Sequence, residues 1–166
     1  MDFISTVDLK NYNENQEIEE RHAVRAIISN DGMLTMVYNQ LHDCYLFPGG
    51  GIKKGETHLE ALSREVAEEA GLLIKADETK YIGTVLEIRQ SGKWADKTFH
   101  HYSHIYSTSV KNDKIPQSFD EKEIPFYFKV VEIDPQNALE VNEKHPELFW
   151  ILRENEVLKY IIKNGL

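Results

Sequence analysis

The chain has 166 residues, 41% of them hydrophobic, which suits one domain built around a buried core. Its net charge of −9 argues against a broad electrostatic grip on duplex nucleic acid or on an anionic membrane, because both need clustered Lys and Arg. One cysteine, Cys44, excludes an internal disulfide, and there is no signal-peptide pattern or long apolar run, so a soluble protein in a reducing, cytoplasmic compartment is expected.

Residues 1–20 are polar, with an acidic segment from Glu14 to Glu20, and fit either a loose arm or a short strand near Phe3 to Leu9. From Ala23 the pattern sharpens. The runs AVRAIIS and MLTMVYN are rich in strand formers and are separated by Asn30-Asp31-Gly32, a hairpin signal. Tyr45-Leu46-Phe47 then leads into Pro48-Gly49-Gly50-Gly51, where no regular element continues. A helix is expected from His58 to Ala70, with Thr57 and Glu60 forming a capping box and Gly71 ending it. On its wheel Leu59, Leu62, Val66 and Ala70 share an apolar face, and Glu65, Glu68 and Glu69 lie beside that face.

Tyr81 to Gln90 and Thr98 to Val110 read as strands joined by a hairpin over Ser91 to Asp96. Lys111 to Glu123 reads as a surface loop and Pro125 to Ile133 as a further strand. The segment from Pro135 to Asn164 is expected to be helical in two pieces, broken before Pro146. Leu148, Ile151, Leu152, Leu158, Ile161 and Ile162 have helical spacing there and suit a core or a homodimer face. Cys44 reads as inert packing next to Phe47.

Three carboxylates within five residues of a helix repel one another by about 0.2–0.5 kcal/mol per i,i+3 or i,i+4 pair when no cation is near. An ordinary solvated acidic face, softened by Glu60–Arg64 and Arg64–Glu68 pairs, can carry that cost. The preceding glycine-rich loop changes the weighing. Gly50, Glu56, Arg64, Glu65, Val66, Glu68, Glu69, Gly71 and Leu72 fit the pattern G-x5-E-x7-R-E-U-x-E-E-x-G-U, with U aliphatic, at every fixed position. This is the Nudix box, and the chain resembles the MutT/Nudix hydrolases.

The resemblance implies an α/β fold, a Nudix-type α/β/α sandwich with a mixed β-sheet between helices, in a single domain spanning residues 1–166. It further implies hydrolysis of a nucleoside diphosphate linked to another moiety, with Mg²⁺, or in some members Mn²⁺, as the cofactor. By that likeness Glu65, Glu68 and Glu69 are metal ligands together with the carbonyl of Gly49. Arg64 orients the acids, and Glu56 braces the loop against the helix. The catalytic set is then Arg64, Glu65 and Glu68, with the general base either a box glutamate or a later-loop acid such as Glu121 or Glu123. The chemistry is consistent: a pyrophosphate brings several negative charges, all-oxygen ligands select hard cations, and such cations activate water.

Gly50, Gly51, Lys53 and Trp94 are the remaining candidates for substrate contact, Lys53 and Lys54 toward phosphates and Trp94 by stacking on a base. The plainer readings are solvated lysines and an exposed hairpin aromatic. His100, His101 and His104 do not suit zinc, because in a strand His100 and His101 face opposite ways and His100 to His104 spans roughly 13 Å. His100, Tyr102, His104 and Tyr106 instead share one strand face that either lines a pocket or packs. The leading expectation is a MutT-like nucleoside triphosphate pyrophosphohydrolase acting on a small nucleotide. Glu87 to Arg89 stand where relatives acting on ADP-ribose, coenzyme A or dinucleoside polyphosphates carry a proline or tyrosine. The alternatives are those substrates, RNA 5′ ends, and a nucleotide sensor without turnover.

Overall fold

A computed structural model describes residues 3–121 and 124–165. Its centre is a mixed four-stranded sheet in the order β1 (Phe3–Asp8), β7 (Lys80–Gln90), β8 (Lys97–Ser107), β2 (Glu17–Ile27). The two outer pairs, β1 with β7 and β2 with β8, run parallel, and β7 with β8 is antiparallel. A second sheet holds β10 (Lys129–Ile133), β4 (Met33–Asn39) and β3 (Ser29–Asn30), with β5 (Cys44–Leu46) also on β4. The pair β6 (Leu72–Ile74) and β9 (Val110–Lys114) completes the strands.

Helix α1 (His58–Ala70) lies against one face of β2, while α2 (Pro135–Asn142) and α3 (Leu152–Asn164) cover the other side. The alternation of β2 explains this. Val24 and Ala26 point into a core with Ala61, Leu62, Val66 and Ala70 of α1. Ile27, facing the opposite way, joins Val85, Ile105, Leu139, Leu158 and Ile161. One strand therefore supplies both cores and holds α1 rigidly relative to α3. The expected mixed sheet between helices is what forms.

The hairpin expected at Asn30-Asp31-Gly32 is present, with Asp31 and Gly32 at φ 49° and 82°, the left-handed pair that a two-residue turn needs. The expected α1 is found with its cap: Thr57 accepts from Glu60 N–H, Glu60 accepts from Thr57 N–H, and Gly71 ends the helix at φ 64°.

Other expectations need correction. The second strand opens at Glu17, inside the polar segment, because Glu17 to His22 ladder onto Lys97 to Tyr102 and pairing overrides composition. Val110 to Lys114, read largely as loop, pairs with a strand at Leu72 to Ile74 that was not foreseen. The strand expected from Pro125 begins at Lys129, after a 3-10 turn over Ile124–Phe126. Leu59 is 39% exposed in the first turn and Ile162 is 41% exposed, so neither belongs to the core, whereas Glu65 is only 7% exposed. Among the described residues no helix is long and apolar enough to cross a membrane.

Candidate active site

The loop Pro48 to Ile52 is zipped onto β2 by Val24 N–H to Gly50 O, Ala26 N–H to Pro48 O and Ile52 N–H to His22 O. Alternation turns the Gly49 carbonyl away from that ladder, and among the described residues it accepts no hydrogen bond. Gly49 must be glycine, since at φ 149° an added Cβ would meet Val24 O at 2.1 Å. Gly50 must be glycine for a different reason: a Cβ there would lie 2.4 Å from the Glu65 carboxylate. The missing methyl is the space in which Glu65 sits.

Arg64 joins loop and helix through all five of its guanidinium N–H groups. Nε and Nη2 take the two Glu56 oxygens at 2.6 and 2.9 Å, Nη1 reaches Glu65 Oε1 at 2.6 Å and Glu68 Oε2 at 3.1 Å, and Nη2 also donates to Gly51 O at 3.0 Å. Glu56 accepts in addition from Lys53 N–H, and the Arg64 fork holds its carboxyl down at about 2. Glu69 Oε2 accepts from Gly49 N–H at 2.9 Å. The residues expected from the sequence, Gly49, Gly50, Gly51, Lys53, Glu56, Arg64, Glu65, Glu68 and Glu69, are thus brought together. Trp94 sits apart at the tip of the β7–β8 hairpin, with the Lys93 and Lys97 ammonium groups 5.1 and 5.8 Å from its ring centre.

One acid was missed. A cavity of about 230 Å³ beside the box is walled by Lys53, Arg64, Glu65, Glu68, Ser118, Phe119 and Asp120. The last carbonyls of α1 have no partner within the helix, and the loop after β9 supplies one through Ser118 N–H to Glu68 O, with Ile115 N–H bonding Gly71 O just beyond. That docking carries Asp120 to the acids. Of the two expected loop acids, Glu121 is an exposed turn residue and Glu123 lies outside the described residues.

Among the described residues no group of three or more His, Cys, Asp or Glu closes around a point as a metal cage. The donor set still suits a hard cation. Two carboxylates converge on one nitrogen, Arg64 Nη1, where a positive charge already sits between them, and the open Gly49 carbonyl lies next to Glu69.

On the α1 side of the sheet His22, His58 and His104 pack together. His22 Nδ1 lies 3.0 Å from His104 Nε2, and the His58 and His104 rings are 4.3 Å apart. Tyr102 stacks on His22 at 4.8 Å, and Tyr106 bonds His58, so the face expected to hold Tyr102, His104 and Tyr106 does form. Burial first, then His58 and His22, hold His104 down at about 4, and burial with His22 lowers His58. A histidine depressed in the folded state contributes stability above its ordinary value of 6.5, and this is lost as pH falls toward 4, because the unfolded chain takes up the proton first. Tm should therefore fall between pH 6.5 and 4, and His104→Gln should flatten that slope; a melt series whose slope is the same in both proteins would refute it.

A model of the NUDIX domain family matches residues 19–149. An ADP-ribose pyrophosphatase of Methanocaldococcus jannaschii is 30% identical over 108 residues, 63% of this chain and 60% of that protein, so the match spans less than two-thirds of the relative. A NUDIX hydrolase from Nitrosomonas europaea superimposes with a TM-score of 0.61 at 17% identity, covering 87% of this chain and 90% of its own. A MutT NUDIX hydrolase from Burkholderia pseudomallei gives 0.56 at 17% identity, covering 71% and 85%. At such identities the likeness to the two structures is one of fold.

Proposed function

The chain belongs to the NUDIX domain family, and on that premise we propose that it is a metal-dependent hydrolase of a nucleoside diphosphate linked to another moiety, with water attacking phosphorus. The observation that carries this reading is the convergence of the Glu65 and Glu68 carboxylates on one cationic nitrogen, beside a loop whose Gly49 carbonyl is open. Glu65, Glu68 and Glu69 with the Gly49 carbonyl would hold Mg²⁺ or Mn²⁺, which when bound neutralises phosphate charge and lowers the pKa of water. Arg64 fixes the rotamers of two of these acids, and its fork to Glu56 locks the loop to α1. On this reading Asp120, on the cavity wall, would take a proton from attacking water, and Lys53, on the same wall, would meet a phosphate oxygen.

A nucleoside triphosphate is the first substrate reading, since Glu87 and Arg89 stand where relatives specialised for ADP-ribose differ. Both are spent internally, Arg89 Nε lying 2.7 Å from Glu87 Oε1. The Methanocaldococcus relative favours a second reading, a nucleoside diphosphate sugar. A sensor without turnover would not need every box acid, and all are present. The test is phosphate and pyrophosphate release from a nucleotide panel with Mg²⁺, with EDTA and with Glu69→Gln. Turnover confined to the Mg²⁺ wild type is expected; no turnover of any substrate, or turnover indifferent to EDTA, would sink the reading.

A further inference from the structure

Behind the catalytic loop the sheet carries a patch of arginines that the box does not contain. The pairing register sets Arg21 of β2 opposite His101 of β8, and His101 opposite Glu87 of β7. Arg25 follows on the same face of β2, Arg89 lies two residues along β7 from Glu87, and Arg153 of α3 covers them, its Nη1 3.1 Å from His101 Nε2 and 3.0 Å from Ser103 Oγ. His101 is 5% exposed. Burial and the charges of Arg153, Arg25, Arg21 and Arg89 push it far below the imidazole range, so it stays neutral. Four guanidiniums thus act on one buried imidazole in a chain whose net charge is −9.

Three of the four are paired within the fold, two carboxylates serving three guanidiniums. Arg25 pairs with Glu154 at 3.3 Å, while Arg89 and Arg153 share Glu87 at 2.7 Å each. Arg21 is different: among the described residues it makes no hydrogen bond and no ion pair. Its charge is opposed by partial desolvation and by Arg25, and is favoured only at longer range by Glu65 and Glu87. The guanidinium lies over Gly51, with Nη2 3.3 Å from where a Cβ would be, and Arg64 Nη2 holds the carbonyl of that same glycine. An open cavity of about 500 Å³ adjoins it, walled by Arg21, His22, Gly51, Ile52 and His58 together with the acids Glu20 and Glu56. Glu56 is paired with Arg64, and Glu20 lies 3.8 Å from His22, with neither acid paired to Arg21.

We propose that Arg21 is the anchor for a phosphoryl group of the substrate, binding it at this cavity beside Gly51, apart from the carboxylates that would hold metal. A guanidinium presents a planar fork that matches two oxygens of a phosphate, and the neighbouring arginines add a positive field behind it. An exposed guanidinium with no partner among the described residues keeps its fork free for an arriving anion. The inference rests on the nucleotide-hydrolase reading for the identity of the ligand. The site itself needs no metal, so it separates substrate binding from the chemistry.

Calorimetric titration of inorganic pyrophosphate into the full chain, with EDTA present, tests it. Binding by the wild type is expected, weakened at least tenfold by Arg21→Ala and partly restored by Arg21→Lys, whose point charge cannot form the fork. Tm should be unchanged, since Arg21 is exposed and unpaired. With Mg²⁺ and a turned-over nucleotide, Arg21→Ala should raise KM more than it lowers kcat. No pyrophosphate binding by the wild type, or equal binding by wild type and Arg21→Ala, would overturn the proposal. Arg21-dependent binding without turnover of any nucleotide would instead leave this site standing and refute the hydrolase reading.

Discussion

Replacing Glu68 with Gln is expected to lower kcat by about 10³-fold while moving Tm by no more than roughly 2 °C. The two expectations separate because Glu68 is expensive to lose chemically and cheap to lose structurally. Its side chain is 39% exposed and its contact with Arg64 is 3.1 Å, a solvent-screened pair whose loss costs on the order of half a kcal/mol. A glutamine keeps the shape and can still accept from the guanidinium. What it cannot supply is the negative charge that, on the proposed reading, would hold a divalent cation. A metal ion contributes several kcal/mol to an anionic transition state, and each 1.36 kcal/mol is tenfold in rate, so about 10³ follows. Steady-state kinetics and a melt on one preparation, with Mn²⁺ affinity measured alongside, would check it. A Glu68→Gln enzyme of wild-type kcat would remove this residue from the metal site. Glu65→Gln would be a poorer test, since Glu65 is buried against Gly50 and its loss confounds stability with chemistry.

The box was legible in the sequence because its constraints are local. Thr57 and Glu60 cap a helix they belong to, Gly50 leaves room for Glu65 fifteen residues on, and Arg64 reaches Glu56 across a short loop. Alternation along β8 was equally visible, and it places Tyr102, His104 and Tyr106 on one face and buries His101 on the other. The missed features depend on distant partners. Arg21 falls between the polar segment that ends at Glu20 and the apolar run from Ala23, and only the parallel ladder of β2 on β8 sets it against His101 and Glu87. Asp120 reaches the acids because its loop satisfies carbonyls at the end of α1, a role no residue type announces. Glu154 is similar. From α3 it accepts from Phe47 N–H at 3.0 Å and pairs with Arg25, which ties the far helix to the residue preceding Pro48 and Gly49.

Arg64→Ala should be strongly destabilising, at about 2–4 kcal/mol, or roughly 5–15 °C in Tm. The argument starts from what is left behind. Glu65, its side chain 10% exposed, would keep its place against Gly50 with Glu68 beside it and no cation between them. Breaking a buried pair from one side costs about 3–5 kcal/mol, and the 20% exposure of the Arg64 side chain allows some relief by water. The loop would also lose the bond from Arg64 to Gly51 O and the fork to Glu56. Arg64→Lys should recover only part, because one ammonium can offset the acids but cannot span Glu56, Gly51 and Glu65 together. If uncompensated charge is the cause, Arg64→Ala with Glu65→Gln should be more stable than Arg64→Ala alone, a coupling that a double-mutant cycle reads directly. The same logic gives a sharper result with metal. In the wild type a divalent cation bound as proposed would share Glu65 and Glu68 with the guanidinium, whereas in Arg64→Ala it would supply the positive charge between them. Saturating Mg²⁺ should therefore raise Tm further in Arg64→Ala than in the wild type, and an equal or smaller rise would show that the acids do not meet at a common cation.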